Sequence, residues 1–151
     1  MRYRVGTILL LSLAVSGFSR MQIVVCGFSR MASAAQPRSV WAGVYTTQQA
    51  DAGEKTYFSR CSTCHGDDLA GVERAPALAG TQFLDSWHGK DLRRMLDRVM
   101  TMPPADKPVT TSEAIDLVAF LLRSSEMPSG TTALPADRAQ LVEITFERAK
   151  P

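Results

Sequence analysis

Apolar side chains recur at helical spacing in three separate stretches of this chain, and each stretch opens on a residue that can cap it. Thr46 and Gln49 stand three apart, the spacing at which a hydroxyl and a returning amide satisfy each other's orphan backbone donors, and they predict a helix over 47–60. Inside it Ala50, Gly53 and Tyr57 share one face. A glycine costs a helix interior roughly 1 kcal/mol against alanine. Its position on the apolar face therefore points to close approach by another helix, with a tolerated surface glycine as the alternative. In the second stretch Leu92, Met95, Leu96, Val99 and Met100 form a helical stripe behind Asp91 as N-cap, while Arg93, Arg94, Asp97 and Arg98 take the solvated side. The third opens on Thr110 and Glu113, another capping-box pair, and predicts a helix over 111–124. Ile115, Leu117, Val118, Ala119, Phe120, Leu121 and Leu122 leave that helix apolar nearly all round, the pattern of a buried element.

The pattern predicts an all-α fold of three main helices joined by loops, in a domain spanning 46–126. A lead-in over 35–45 precedes it, in which Trp41, Val44 and Tyr45 are expected to pack against the domain surface. A tail over 127–151 follows. Its stretch Leu141–Phe146 alternates weakly and is expected to wrap the domain as an extended or irregular segment.

Ahead of all this, residues 1–34 read as an export signal. Met1-Arg2-Tyr3-Arg4 is a positive start and Val5 to Phe18 an apolar run too short to span a bilayer comfortably. Ala32-Ser33-Ala34 is a small-residue cleavage pattern, placing the cut near Ala34. An uncleaved membrane anchor is the alternative, and membrane association is expected only in that case. Gly17-Phe18-Ser19-Arg20-Met21 recurs as Gly27-Phe28-Ser29-Arg30-Met31, which leaves Met21 and Met31 as competing starts. Cys26 follows Val25, which is not small, so a lipid-anchoring cysteine is disfavoured.

Composition alters this picture little, except through charge. The apolar fraction of 45% and charged fraction of 21% are ordinary for a globular protein. Four of the 17 basic side chains lie in the leader, which has no acid, so the rest of the chain sets 13 bases against 15 acids. A body this close to neutral offers no electrostatic footprint for nucleic acid.

Only two cysteines follow the leader, in Cys61-Ser62-Thr63-Cys64-His65, where the first predicted helix ends. Two thiols two residues apart with a histidine directly after them can each add to a haem vinyl group and set the imidazole under the iron. A redox CxxC would follow a strand in a βαβ unit, and no strand precedes it. A zinc site needs four ligands, which Cys61, Cys64, His65 and His88 could supply only in an unfamiliar spacing. His88 is expected to be exposed.

A ligating histidine generally donates its second ring N–H to a fixed acceptor, often a carbonyl. The stiff segment Ala75-Pro76-Ala77-Leu78 makes Pro76 the candidate acceptor and sets Leu78 to cover the haem, with an ordinary surface turn as the alternative. For the sixth iron position, Met95, Met100, Met102 and Met127 compete. Met95 and Met100 belong to a helical stripe that packing explains, and Met127 lies past the last helix. Met102 sits just beyond a helix end, in Thr101-Met102-Pro103-Pro104, where two prolines stiffen the backbone. Met102 is the candidate, with Met100 as the fallback. For Arg93, Arg94 and Arg98, pairing of one of them with a haem carboxylate is the alternative to a wholly solvated face.

The combination Cys-Ser-Thr-Cys-His-Gly, Ala-Pro-Ala-Leu and Thr-Met-Pro-Pro-Ala-Asp resembles the class I, mono-haem, His/Met cytochromes c. With the lead-in Val40-Trp41-Ala42-Gly43-Val44-Tyr45-Thr46 it is similar, over roughly 40–145, to the cytochrome c subunits associated with quinoprotein alcohol dehydrogenases. The resemblance implies the cytochrome c fold, one covalent haem c, and ligation by His65 and Met102. It also implies a haem contact for the Trp87 indole, which could otherwise be a packing residue, and a crossing of the first and last helices with Phe120 or Leu117 in the contact. It implies a periplasmic one-electron carrier, not an enzyme. A dehydrogenase is the expected donor, and a terminal oxidase or another cytochrome the acceptor. A permanent dehydrogenase subunit and a gas-binding sensor are the alternatives.

Overall fold

In a computed structural model of the chain, the described residues are 38–73, 75–102 and 108–150. The readings of the leader, and of Pro103 and Pro104 after Met102, lie outside them. Among the described residues six α-helices form: α1 Thr47–Arg60, α2 Ser62–His65, α3 Gly80–Trp87, α4 Leu92–Val99, α5 Thr111–Ser124 and α6 Arg138–Val142. Two short strands, β1 Arg38–Ser39 and β2 Ile144–Thr145, pair in parallel with Arg38 opposite Ile144. No helix among the described residues is long and apolar enough to cross a membrane.

The long helices begin where local chemistry tells them to. Both capping boxes close reciprocally, Thr46 with Gln49 and Thr110 with Glu113. At α4 the Asp91 carboxylate accepts from the Arg94 amide. The α1 helix breaks at Cys61, whose amide still reaches the Tyr57 carbonyl, and α2 resumes for one turn that carries Cys64 and His65. By contrast, α3 starts at Ala79, which offers no side-chain cap.

Among the described residues α1 and α5 make the most extensive helix–helix contact, and Gly53 permits their close approach. A Cβ on Gly53 would stand 1.9 Å from the Asp116 carbonyl oxygen on α5. Such a separation excludes any side chain. One turn along, the Tyr57 ring lies against Phe120, centroids 5.1 Å apart. At the rim Arg123 pairs with Asp51 at 2.5 Å and Glu54 at 3.2 Å, and donates to the Ala50 carbonyl. The buried α5 face joins Leu92, Met95 and Leu96 of α4 in one core.

The lead-in and tail belong to the same core. Val40, Val44 and Tyr45 are buried with it, so the lead-in is deeper than surface packing. The Tyr45 hydroxyl donates to the Met127 carbonyl at 2.6 Å. The tail forms α6 and β2 where an extended or irregular path was expected. Asp137 caps α6, and Leu141, Ile144 and Phe146 are fully buried.

The contact at Gly53 makes a sharp prediction. Gly53→Ala should lower stability by at least about 2 kcal/mol, the cost of forcing bulk into a packed core, read as a lower urea midpoint at unchanged slope. An exposed helix glycine would instead gain up to about 1 kcal/mol on the same change. A neutral or stabilised variant would contradict the close crossing.

Candidate functional site

One cavity, of about 830 Å³, gathers most of the chemistry-bearing residues. It is of the size range of small-molecule and cofactor pockets. Cys61, Cys64 and His65 line it from the α1–α2 junction, Pro76 and Leu78 from the loop that follows, Phe83 and Trp87 from α3, and Met102 from beyond α4. Leu117 and Leu121 of α5 close it from the core side.

His65 is held at two atoms. Its Nδ1 lies 2.8 Å from the Pro76 carbonyl oxygen, and its own carbonyl accepts from the Gly71 amide at 2.9 Å. An imidazole whose Nδ1–H donates to a carbonyl presents the Nε2 lone pair to a metal. Gly71 makes that arrangement possible. It sits at φ +78°, and a Cβ there would stand 2.5 Å from the Ala75 carbonyl oxygen. The loop is further tied by the Leu78 amide, which donates to the Leu69 carbonyl at 2.8 Å.

The cysteines differ in setting. Cys64 is exposed and Cys61 half-buried, and both are unpaired. Burial pushes the Cys61 thiol up; the Arg60 cation works against that, and Cys64 adds to it. Tyr57 lies beneath the motif, 1% exposed, with its hydroxyl donating to the Gly66 carbonyl at 2.5 Å. Burial, with lesser contributions from Cys61, Asp67 and Asp68, pushes its phenol up to about 12.

Among the methionines, Met102 lines the cavity and Met100 does not. The Met102 amide donates to the Val99 carbonyl at 3.0 Å, so the residue rides on the last turn of α4. Met95 also faces the cavity but is 1% exposed and part of the core; Met127 is buried away from the cavity, near Tyr45. His88 is exposed and accepts from the Arg148 amide at 3.4 Å. Among the described residues no group of three or more His, Cys, Asp or Glu is arranged to hold a metal ion, which leaves the zinc alternative without support.

Several cavity residues, Phe83, Lys90 and Val109 among them, escaped the sequence reading, and Arg98 was not singled out from its neighbours. Lys90, whose ammonium sits 5.2 Å from the Trp87 ring centroid, and Arg98 bring positive charge to the cavity, and Val109 adds an apolar wall. The helical pattern sets Arg98 beside Arg93 and Arg94 on a solvated face, with one of the three meeting a haem carboxylate as the alternative. Arg93 and Arg94 pair with Asp91 and Asp97. No sequence signal separates the three arginines, because only the packing of α4 against the cavity does so.

The donor set suits haem c: two thiols, an imidazole already oriented through Nδ1, a thioether, an apolar wall, and basic side chains that could meet carboxylates. Comparison with known families agrees. Residues 48–121 match the family model described as "Cytochrome C oxidase, cbb3-type, subunit III". The match supports a class I c-type cytochrome, whose domain implies haem c and electron transfer with redox partner proteins. The mostly helical architecture is compatible with the cytochrome c fold. Neither the curated proteins nor the solved structures give a match.

Tyr57 carries a pH prediction. Its folded-state pKa of about 12 exceeds the ordinary value of 10.0, so its contribution to stability is complete below about pH 10 and is lost as pH rises through about 12. Wild-type protein should therefore lose more stability than Tyr57→Phe between about pH 9 and about pH 11, measured by urea midpoints. Equal losses in the two proteins would show that the buried phenol does not resist ionisation.

Proposed function

We propose that this protein is an exported one-electron carrier, a c-type cytochrome of the His/Met class. The observation that carries the reading is the meeting of Cys61, Cys64, His65 and Met102 at one cavity. Haem c, when bound, supplies one-electron chemistry between ferrous and ferric iron.

The chain's own groups do the rest. The Cys61 and Cys64 thiols tether the group by thioethers, and the half-buried setting of Cys61 keeps that attachment on the core side. His65 would offer its Nε2 lone pair to the iron, with the Pro76 carbonyl holding its ring through Nδ1. Met102, which lines the same cavity, would supply a thioether as the second protein ligand. A thioether ligand raises the potential relative to harder ligands. Were His65 and Met102 both to ligate the iron, no open position would be left for a substrate, which favours electron transfer over catalysis. Leu78, Phe83 and the α5 leucines, which line the cavity, would keep water from the group, and Trp87, Lys90 and Arg98 could meet its carboxylates. The domain also gains a covalent staple, of the kind small cores often need.

The leader supports export to the periplasm, where thioether attachment takes place in this family. A quinoprotein dehydrogenase is the favoured donor, since the lead-in Val40–Thr46 resembles the cytochrome subunits of such enzymes and is built into the core here. A permanent subunit would co-purify with its dehydrogenase, and a free carrier would not.

Mass spectrometry of the protein from a cytochrome-maturing host tests both ends of the reading. The expected product begins near Ala35 and carries the mass of one haem that survives acid–acetone extraction. A haem lost on extraction would overturn covalent attachment at Cys61 and Cys64. Met102→Ala should open the reduced protein to carbon monoxide, which the wild type excludes. Equal binding by the two would overturn the closed-site reading.

A further inference from the structure

The family match ends at residue 121, yet the chain continues and returns to α4. It touches that helix at both ends. At the start, Thr145 of β2 bridges to Asp91, the α4 N-cap. The neighbouring Phe146 is locked on both sides of its peptide: its amide donates to the Lys90 carbonyl and its carbonyl accepts from the Gly89 amide, each at 2.8 Å. The Phe146 ring is fully buried and meets Phe83, a cavity-wall residue, edge-on at 5.9 Å. At the other end of α4, Arg138 of α6 forms an ion pair with Asp97, and its Nη2 lies 3.9 Å from the Met100 Sδ. These two residues flank the turn from which Met102 enters the cavity.

The strap is itself well secured. The Arg38 amide donates to the Glu143 carbonyl at 2.7 Å, and the Trp41 indole N–H to the Glu147 carbonyl at 3.0 Å. Leu141 and Ile144 are fully buried. The tail is thus clamped between the lead-in and α4. Local opening of the Met102 turn must stretch contacts to a segment that does not move with it.

We propose that residues 134–148 form a strap that sets how firmly Met102 holds the sixth position, with Arg138 and Phe146 as its positioning residues. The inference rests on the His65/Met102 reading above. A thioether is a weak ligand, so an added base competes with it whenever the turn opens. The strap lowers the population of that open state and so weakens binding of the competitor.

Imidazole titration of the ferric, haem-loaded full chain tests this. Arg138→Ala should bind imidazole about two- to fivefold more tightly than wild type, the effect expected of losing one solvent-exposed ion pair. Arg138→Lys should restore most of the wild-type affinity, because it keeps the charge opposite Asp97. Phe146→Leu, which keeps an apolar side chain in the core, should also tighten imidazole binding. A variant that melts earlier but binds imidazole as wild type does would make the tail purely structural and overturn the proposal. Met102→Ala is the control on the underlying reading. If it leaves imidazole affinity unchanged while haem remains attached, Met102 is not the ligand, and the strap proposal falls with that assignment.

Discussion

The approach of α1 to α5 at Gly53 is the constraint on which the rest of the structure depends. With a Cβ position only 1.9 Å from the Asp116 carbonyl oxygen, the approach leaves no room for a side chain at residue 53. That closeness sets Tyr57 against Phe120 and delivers the end of α1, with Cys61, to the flank of Leu117 and Leu121. A bulkier residue at 53 would push the helices apart, and the wall of the cavity would part with them. Packing in the core thus determines where the thiols and the imidazole stand.

The loop from Gly66 to Leu78 converts that placement into chemistry. It must turn back sharply enough to bring the Pro76 carbonyl to His65 Nδ1, and Gly71 at positive φ is the point where it does so. The imidazole is then oriented before any metal arrives, and the entropy of arranging it is met in folding rather than in binding. Met102 is organised differently. Its amide bond to the Val99 carbonyl sets it on the last turn of α4, the helix that the tail contacts at both ends. The two candidate ligands therefore differ in kind, His65 being oriented by a tight local loop and Met102 standing at the end of a helix.

That difference explains what could be read from the sequence. The capping boxes at Thr46 and Thr110 and the cap at Asp91 are local devices, so α1, α5 and α4 were legible almost to the residue. The Cys61–His65 motif and the stiff Pro76 segment are equally local. The α3 helix does carry apolar residues at helical spacing, Phe83, Leu84 and Trp87, but Ala79 provides no cap bond to mark its start. The pairing of β1 with β2 joins two-residue strands from opposite ends of the chain, a contact that no local pattern records. For α6 a signal did exist, in Asp137 ahead of an apolar pair, but five residues are too few for periodicity to register. The choice of Arg98 among three neighbouring arginines depends on tertiary packing alone.

The central claim is that His65 and Met102 together close the iron of a covalently held haem. The optical spectrum of the oxidised protein tests it most directly, through the weak methionine–iron charge-transfer band at the red end of the visible range. The account predicts that band in the wild type at neutral pH, its absence in Met102→Ala, and its persistence in Met100→Leu. A wild-type protein that carries haem but lacks the band, or a Met102→Ala protein that retains it, would contradict the account.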